Sequence, residues 1–313
     1  DKVADYLQGY LEKQGLTVFR HGNNLWCKKG IGPAILMDAH IDTVKPVAGW
    51  ETDPFTPIEA DGRMTGLGVS DDGGSVAAMI SVFLTAKPLS HTLILSLSAQ
   101  EEVTGTGGLE ASLPLMEADI ECGIIGEPTS LGMAVSERGL MVLDCTAYGK
   151  AGHAARGEGE NALYKALRDI EWFRAQPGMN VTMIHAGTQH NVVPDRCTFV
   201  VDVRTQGPNE EALKYIMGNV SCEVKPRSMR LNGTFTPEDH LLVKAGKAIG
   251  LETFSSPTLS NQALCKFPTV KFGPGNSALS HTAGESIDLE EVEKAADIYL
   301  KLIETYEALG QGL

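Results

Sequence analysis

What the chain lacks narrows its class first. No apolar run approaches the ~20 residues needed to span a bilayer, so no membrane partner is expected. Basic residues are scarce beside acidic ones, 26 against 40, and the formal net charge is -14. That balance argues against nucleic acid or an anionic membrane surface as partner. None of the six cysteines (Cys27, Cys122, Cys145, Cys197, Cys222 and Cys265) belongs to a CxxC pair. They read as buried free thiols of a cytoplasmic protein, not as a disulfide set or a Cys-ligated zinc site. No G-x-S-x-G occurs and no Cys stands in a site motif, which leaves a Ser or Cys hydrolase little support. Internal repeats and low-complexity tracts are absent as well. The chain opens at Asp1 without an initiator Met, so further residues are expected before it, and a targeting segment among them stays open.

What is there is an ordinary globular composition: 313 residues, 42% hydrophobic and 21% charged. That suffices for one large or two moderate domains. Val3, Leu7, Tyr10 and Leu11 form a helical apolar stripe at the start. "AILMDA" (34–39), "TLILSLSA" (92–99) and "CGIIG" (122–126) read as strands buried on both faces. "GSVAAMISVFLTAKP" (74–88) reads as a helix opened by glycines and stopped before Pro88. This is the rhythm of an α/β sheet. From 135 to 232 the pattern changes to half-exposed strands ("GLMVLDCTAYGKAG", "NVTMIHAG", "DRCTFVVDVR") with helices at 160–176 and over "NEEALKYIMGNVS". That segment is expected to be an α+β insert. Helix, strand and helix then return. The last helix opens with Asp288 and Glu291 in capping-box spacing and buries Val292, Ala295, Tyr299, Leu302 and Tyr306. The expected organisation is a discontinuous domain, 1–134 with 233–313, carrying the 135–232 insert.

The chemistry gathers behind the strands. His40 and Asp42 follow the first apolar strand. Asp71 and Asp72 precede the helix. Glu101 and Glu102 follow the strand at 92–99, and Glu127 follows 122–126. His281 and Glu285 come late, in "GPGNSALSHTAGES". Ligands in open α/β sheets collect at the carboxyl ends of strands. Each signal alone has a bland reading: a structural HxD, a turn or helix cap at the Asp pair, a solvated Glu pair. Together they describe carboxylate and imidazole donors without thiolates, a set suited to zinc, with cobalt or manganese possible. Charge balance favours two metals. Asp71, Glu102 and Glu127 bring three negative charges, and one divalent ion would leave buried acids poorly compensated.

At these residues the sequence resembles the M20 family of co-catalytic zinc amidohydrolases, which includes acetylornithine deacetylase, succinyl-diaminopimelate desuccinylase and the glutamate carboxypeptidases. The matching stretches are "HIDTV" (40–44), "GVSDDGGS" (68–75), "SAQEEVTG" (98–105), "GEPT" (126–129), "GKAGHAARGEGENAL" (149–163), "NVVPDRC" (191–197), "DVR" (202–204) and "SHTAGE" (280–285). They run in family order over most of the chain.

The resemblance implies a mixed sheet flanked by helices in a zinc-exopeptidase-like catalytic domain, with a lid that makes a homodimer. It implies that His40 and Glu127 bind one zinc, Glu102 and His281 the other, and that Asp71 bridges them beside a cis peptide to Asp72. Asp42 would accept a hydrogen bond from His40 and fix its tautomer, and Glu101 would be the general base. His153 would stabilise the oxyanion, usually in the partner's site; its bland reading is a surface loop histidine. Asn191 is a further candidate for substrate. Arg204 would fork onto a substrate carboxylate, or else be a structural ion pair. Gly273 and Gly275 flank Pro274 in a rigid loop that either approaches substrate or is a plain turn.

Two stretches depart from the pattern. "AARGEG" follows His153 where many relatives have proline, and "DDGG" stands where relatives often carry Lys after the acidic pair. The expected activity is removal of an acyl group from the α-nitrogen of a small amino acid. The motifs look most like the acetylornithine deacetylase branch, or a close relative working on N-succinyl ornithine or on N-acetyl or N-succinyl citrulline. A desuccinylase is the next reading and a dipeptidase or carboxypeptidase the third. A non-catalytic metal-binding relative is disfavoured, because binding would not need Glu101.

Overall fold

Two faces of one sheet explain the continuous apolar runs of the first part. The computed structural model describes residues 2–87 and 89–311; Pro88, expected to stop the second helix, lies outside the described residues. Strands Ala34–His40, Thr92–Ser98 and Ile120–Ile125 are parallel neighbours, and Thr269–Lys271 joins Ile120–Ile125 in parallel. Asn24–Lys29 adds an antiparallel strand beside Thr92–Ser98, so the sheet is mixed. All seven residues of Ala34–His40 are buried. Ile35 and Met37 face a core shared with Met79, Phe83, Ala295 and Tyr299. Ala34 and Leu36 face a second core with Trp26, Ile94, Leu109 and Met116. A strand covered on both sides has no polar face to show, hence no alternation.

Helix Gly73–Thr85 packs against that sheet and buries Ala78, Met79, Val82 and Phe83. The first helix, Lys2–Lys13, buries Ala4, Leu7 and Leu11, while Val3 and Tyr10 are exposed. The buried stripe is thus centred one residue away from the expected one. Positions 3, 7 and 10 and positions 4, 7 and 11 both keep the three- and four-residue spacing of a helical face, and the fold buries the latter. The last helix, Leu289–Gly310, buries Ala295, Tyr299, Leu302 and Tyr306 as expected, with Val292 half-buried. Its expected capping box does not form. Asp288 instead accepts two hydrogen bonds from Arg63, at 3.0 and 3.2 Å, and Glu291 accepts one from the Gly275 amide at 3.1 Å.

Near its end, the same helix is tied to the start of strand Thr92–Ser98. Glu307 accepts from the Ser90 amide (3.0 Å), the Ser90 hydroxyl (2.7 Å) and the His91 amide (2.9 Å). A ring nitrogen of His91 lies 2.5 Å away. Glu307→Ala would leave several donors without a partner in a half-buried place. We expect it to cost about 2–4 kcal/mol, read as a lower urea midpoint at unchanged slope. A midpoint matching the parent's would deny this clamp its role.

The chain divides into two compact units. One holds the residues up to Ser136 with Phe235–Ser256 and Ser260 onward; the other holds Glu137–Thr234 and Pro257–Leu259. The second unit is a four-stranded antiparallel sheet in the order Met179–Ala186, Arg196–Val203, Met141–Tyr148, Glu223–Pro226. Helices Ala162–Arg174 and Asn209–Met217 contribute Ala166, Phe173 and Ile216 to its core, against Leu143, Phe199 and Val201. Strand Arg196–Val203 alternates buried and less buried residues along its length, as a sheet with one covered face requires. Strand Met179–Ala186 lies at the sheet's edge and is largely exposed. All six cysteines are free, as expected; Cys222 and Cys265, however, are half-buried rather than buried. Among the described residues no helix is long and apolar enough to cross a membrane.

Candidate metal centre

The parallel strands end together, and their ends supply the donors. His40 is the last residue of its strand and is 2% exposed. Ligand atoms of His40, Asp71 and Glu102 all lie within 4.8 Å of one another, and so do those of His40, Glu101 and Glu127. Asp71 sits between two histidines. Its Oδ1 is 3.0 Å from Nε2 of His40, and its Oδ2 is 3.6 Å from Nε2 of His281. His281 Nε2 is also 3.0 Å from Glu102 Oε2. All five expected ligands therefore meet in one cluster of the first unit. The Asp71–Asp72 peptide is cis.

Asp42 differs from expectation. Its carboxylate is 3.7 Å from Nδ1 of His40, too far for a hydrogen bond. Nδ1 instead lies 3.0 Å from the Asp42 backbone carbonyl, which can fix the same tautomer. The carboxylate is engaged elsewhere: its two oxygens accept from the amides of Glu101 and Glu102, both at 3.2 Å. Asp42 thus holds the acid pair by its backbone.

The electrostatics are those of a cation site. Burial pushes the Glu101 carboxyl up to about 7; Glu102, Asp71 and Asp42 add to the rise and His40 opposes it. Glu127 is held well above the usual range by burial, then by Glu101 and Asp71. Glu102 is raised by burial and by Asp71. Burial would lower His40, but Asp42 and Asp71 outweigh it and hold it well above its ordinary value. Asp72 is buried too, without a well-formed hydrogen bond on either oxygen. Acids crowded against their preference for charge are relieved by divalent cations. The donor set of imidazole and carboxylate fits zinc-like ions.

A pH effect follows for the metal-free protein. A carboxyl raised on folding contributes stability that is complete below its unfolded value and lost as pH rises through its folded one. For Glu101 that window runs from 4.5 to about 7. Asp38, buried and raised to about 6, and His40 act with the same sign. Asp42 and Asp71 are lowered, so their contributions fade only below 3.8. Thermal unfolding in chelator should therefore show rising stability from pH 7.5 to 5. Glu101→Gln should remove about 1–3 kcal/mol of that gain. An identical pH slope in the variant would contradict it.

The remaining candidates lie in the second unit or are committed internally. His153 pairs with Val192 in a two-stranded ribbon, and the Asn191 carbonyl accepts from the Ala154 amide at 3.1 Å. His153 and Asn191 are thus neighbours. His153 Nδ1 accepts from the Ala155 amide at 3.2 Å, so a neutral ring carries its proton on Nε2. Arg204 spends its fork on Asp202, at 2.8 and 3.3 Å, the structural pairing weighed as its alternative. Gly273 and Gly275 are buried in the first unit. A Cβ at Gly273 would collide with Ser75 and the Glu127 carbonyl, and one at Gly275 with Ser70. Their amides donate to Thr129 and Glu291. These two amides serve the chain's own packing and are not free for a ligand.

Parallel strand ends that converge acids and imidazoles in this way form a candidate metal centre, and the family match and relatives that follow make the chain a hydrolase of the amide-cleaving kind. Residues 36–305 match the family model described as Peptidase family M20/M25/M40, and the chain belongs to that family. It is 28% identical to an acetylornithine deacetylase of Myxococcus xanthus, covering 96% of this chain and 91% of that one. It is equally 28% identical to a succinyl-diaminopimelate desuccinylase of Nautilia profundicola, covering 97% and 93%. Its fold is similar to that of a dinuclear metal binding peptidase of the M20 family from Bacillus subtilis. That likeness has a TM-score of 0.73 and 17% identity, over 99% of this chain and 92% of the other.

Proposed function

We propose that the protein is a two-zinc amidohydrolase that removes an N-acyl group from a small amino acid, with N-acetylornithine the first candidate substrate. The observation that carries this reading is Asp71, whose two oxygens face His40 and His281 at 3.0 and 3.6 Å. A carboxylate so placed suits a bridge between two ions. His40 and Glu127 would hold one ion, Glu102 and His281 the other, with Asp71 shared. When bound, such a pair supplies Lewis-acid polarisation of the carbonyl and an acidified water. The chain supplies the rest. Glu101 takes a proton from the attacking water and hands it to the amine nitrogen as the C–N bond breaks. Asp42 keeps Glu101 and Glu102 oriented through their amides.

His153, with its proton on Nε2, donates to the carbonyl oxygen as that oxygen gains charge. The second unit acts as lid and dimerising element, and the active form is a cytoplasmic homodimer. The exposed edge strand Met179–Ala186, with Met183 and Ile184 uncovered, supports a docking face there. His153→Ala should keep zinc content and lower kcat ~10²–10³ with KM little changed. Mixing it with Glu101→Gln should restore activity if the site is shared between subunits; subunit exchange without recovery would remove the sharing.

A second reading, succinyl-diaminopimelate desuccinylase, has support from a relative of equal identity. The experiment compares zinc-loaded protein on N-acetylornithine, N-acetylcitrulline, N-succinylornithine and N-succinyl-diaminopimelate. The acetylated amino acids should be cleaved at least tenfold faster. Preference for N-succinyl-diaminopimelate would select the second reading, and no cleavage of any would remove both.

A further inference from the structure

Glu285 is 1% exposed, yet no step of the chemistry above uses it. Its carboxylate is surrounded by backbone donors of one loop. Oε2 accepts from the Gly68 amide at 3.1 Å, and Oε1 accepts from the amides of Ser70 and Asp71, both at 2.9 Å. Its own carbonyl accepts from Gly66 at 3.0 Å. Four bonds thus fasten one residue to the loop that presents Asp71. That loop cannot hold its shape by regular pairing: Gly68 has φ +74, and a Cβ there would run into Thr43. The segment that supplies Glu285 also carries His281, itself at φ 61 and four residues earlier.

We propose that Glu285 is a positioning residue that shapes the Asp71 loop and locks it to the His281 loop, so that the shared carboxylate and the second site's histidine come into place together. This rests on reading Asp71 and His281 as metal ligands. A carboxylate accepting three amides fixes their directions as a bound anion would. Its loss frees Asp71 and unlinks it from His281, 210 residues later in the chain. Residues that orient ligands without touching the metal typically change its affinity ~10–100-fold.

The test titrates Zn2+ into metal-free protein by calorimetry and follows amide hydrogen exchange over 66–72. The parent should take up two ions. Glu285→Ala should bind at least one of them ~10-fold or more weakly, and the amides of Gly68, Ser70 and Asp71 should exchange at least ~10-fold faster. Glu285→Gln keeps one carbonyl oxygen for Ser70 and Asp71 but turns an NH2 towards Gly68. It should fall between parent and Glu285→Ala, and it carries the test if the alanine variant does not fold. Glu307→Ala, which breaks a comparable clamp away from the cluster, should lose stability but keep parental zinc affinity. Parental zinc affinity in the Glu285 variants overturns the proposal, as does an equal loss in Glu307→Ala. A parent that takes up no pair of ions removes the metal-centre reading itself, a failure distinct from the first two.

Discussion

Glu101→Gln should retain two zinc ions and turn substrate over ~10²–10⁴ more slowly, the usual worth of a general base. Gln has the same length and shape, so the strand end and the bonds that the two amides donate to Asp42 persist. Only the capacity to take a proton goes. The result also separates two roles that the geometry leaves adjacent. An oxygen of Glu101 falls in the same tight group as His40 and Glu127, where a ligand could also stand. A base and a ligand answer differently: loss of turnover at full metal content makes Glu101 the base. Loss of one ion makes it a ligand, and near-parental turnover with both ions bound removes it from the mechanism.

Asp71→Ala should abolish binding of both ions together. Among the described residues it is the only carboxylate whose two oxygens each face a different histidine, so its removal strips one donor from each half and one negative charge from their shared region. His281→Ala should mainly empty one half, because the carboxylates that His281 approaches among the described residues are Asp71 and Glu102. Metal analysis of the purified variants decides this. One ion lost in Asp71→Ala and two in His281→Ala would invert the ligand arrangement.

Much of the parallel sheet was legible because burial on both faces leaves a continuous apolar mark, as in Ala34–His40 and Thr92–Ser98. His40, Asp71, Glu102 and Glu127 stood out because each follows such a strand or opens the helix behind it, whereas His281 lies in a long loop between Thr269–Lys271 and Ser286–Asp288. Asn24–Lys29 escaped notice, since its two lysines and its position as an antiparallel neighbour give no period. The hairpin Ile58–Ala60 with Arg63–Thr65 is short and mostly exposed, so it has little apolar pattern to read. Capping-box spacing at Asp288 and Glu291 was real, but distant partners, Arg63 and the Gly275 amide, took both side chains. Glu285 could be singled out by type, yet its partners lie more than two hundred residues earlier. Bonds of that range leave no trace in local pattern, and the same holds for the Asp42 carboxylate, whose partners lie about sixty residues on; the Asp202 that occupies Arg204 is by contrast only two residues away and was open to a local reading.

The parallel pairing of Ile120–Ile125 with Thr269–Lys271 has a consequence for synthesis on the ribosome. The partner strand is made only after the whole second unit has been synthesised. Until then the nascent sheet presents Ile124 and Ile125 at an unpaired edge, a template for wrong pairing. Long-range pairings of this kind form slowly and leave the intermediate prone to association. His281 arrives later still. A ribosome-stalled chain ending near residue 260 should therefore depend on chaperones to stay dispersed, and should gain no protection from added zinc at the second half of the centre.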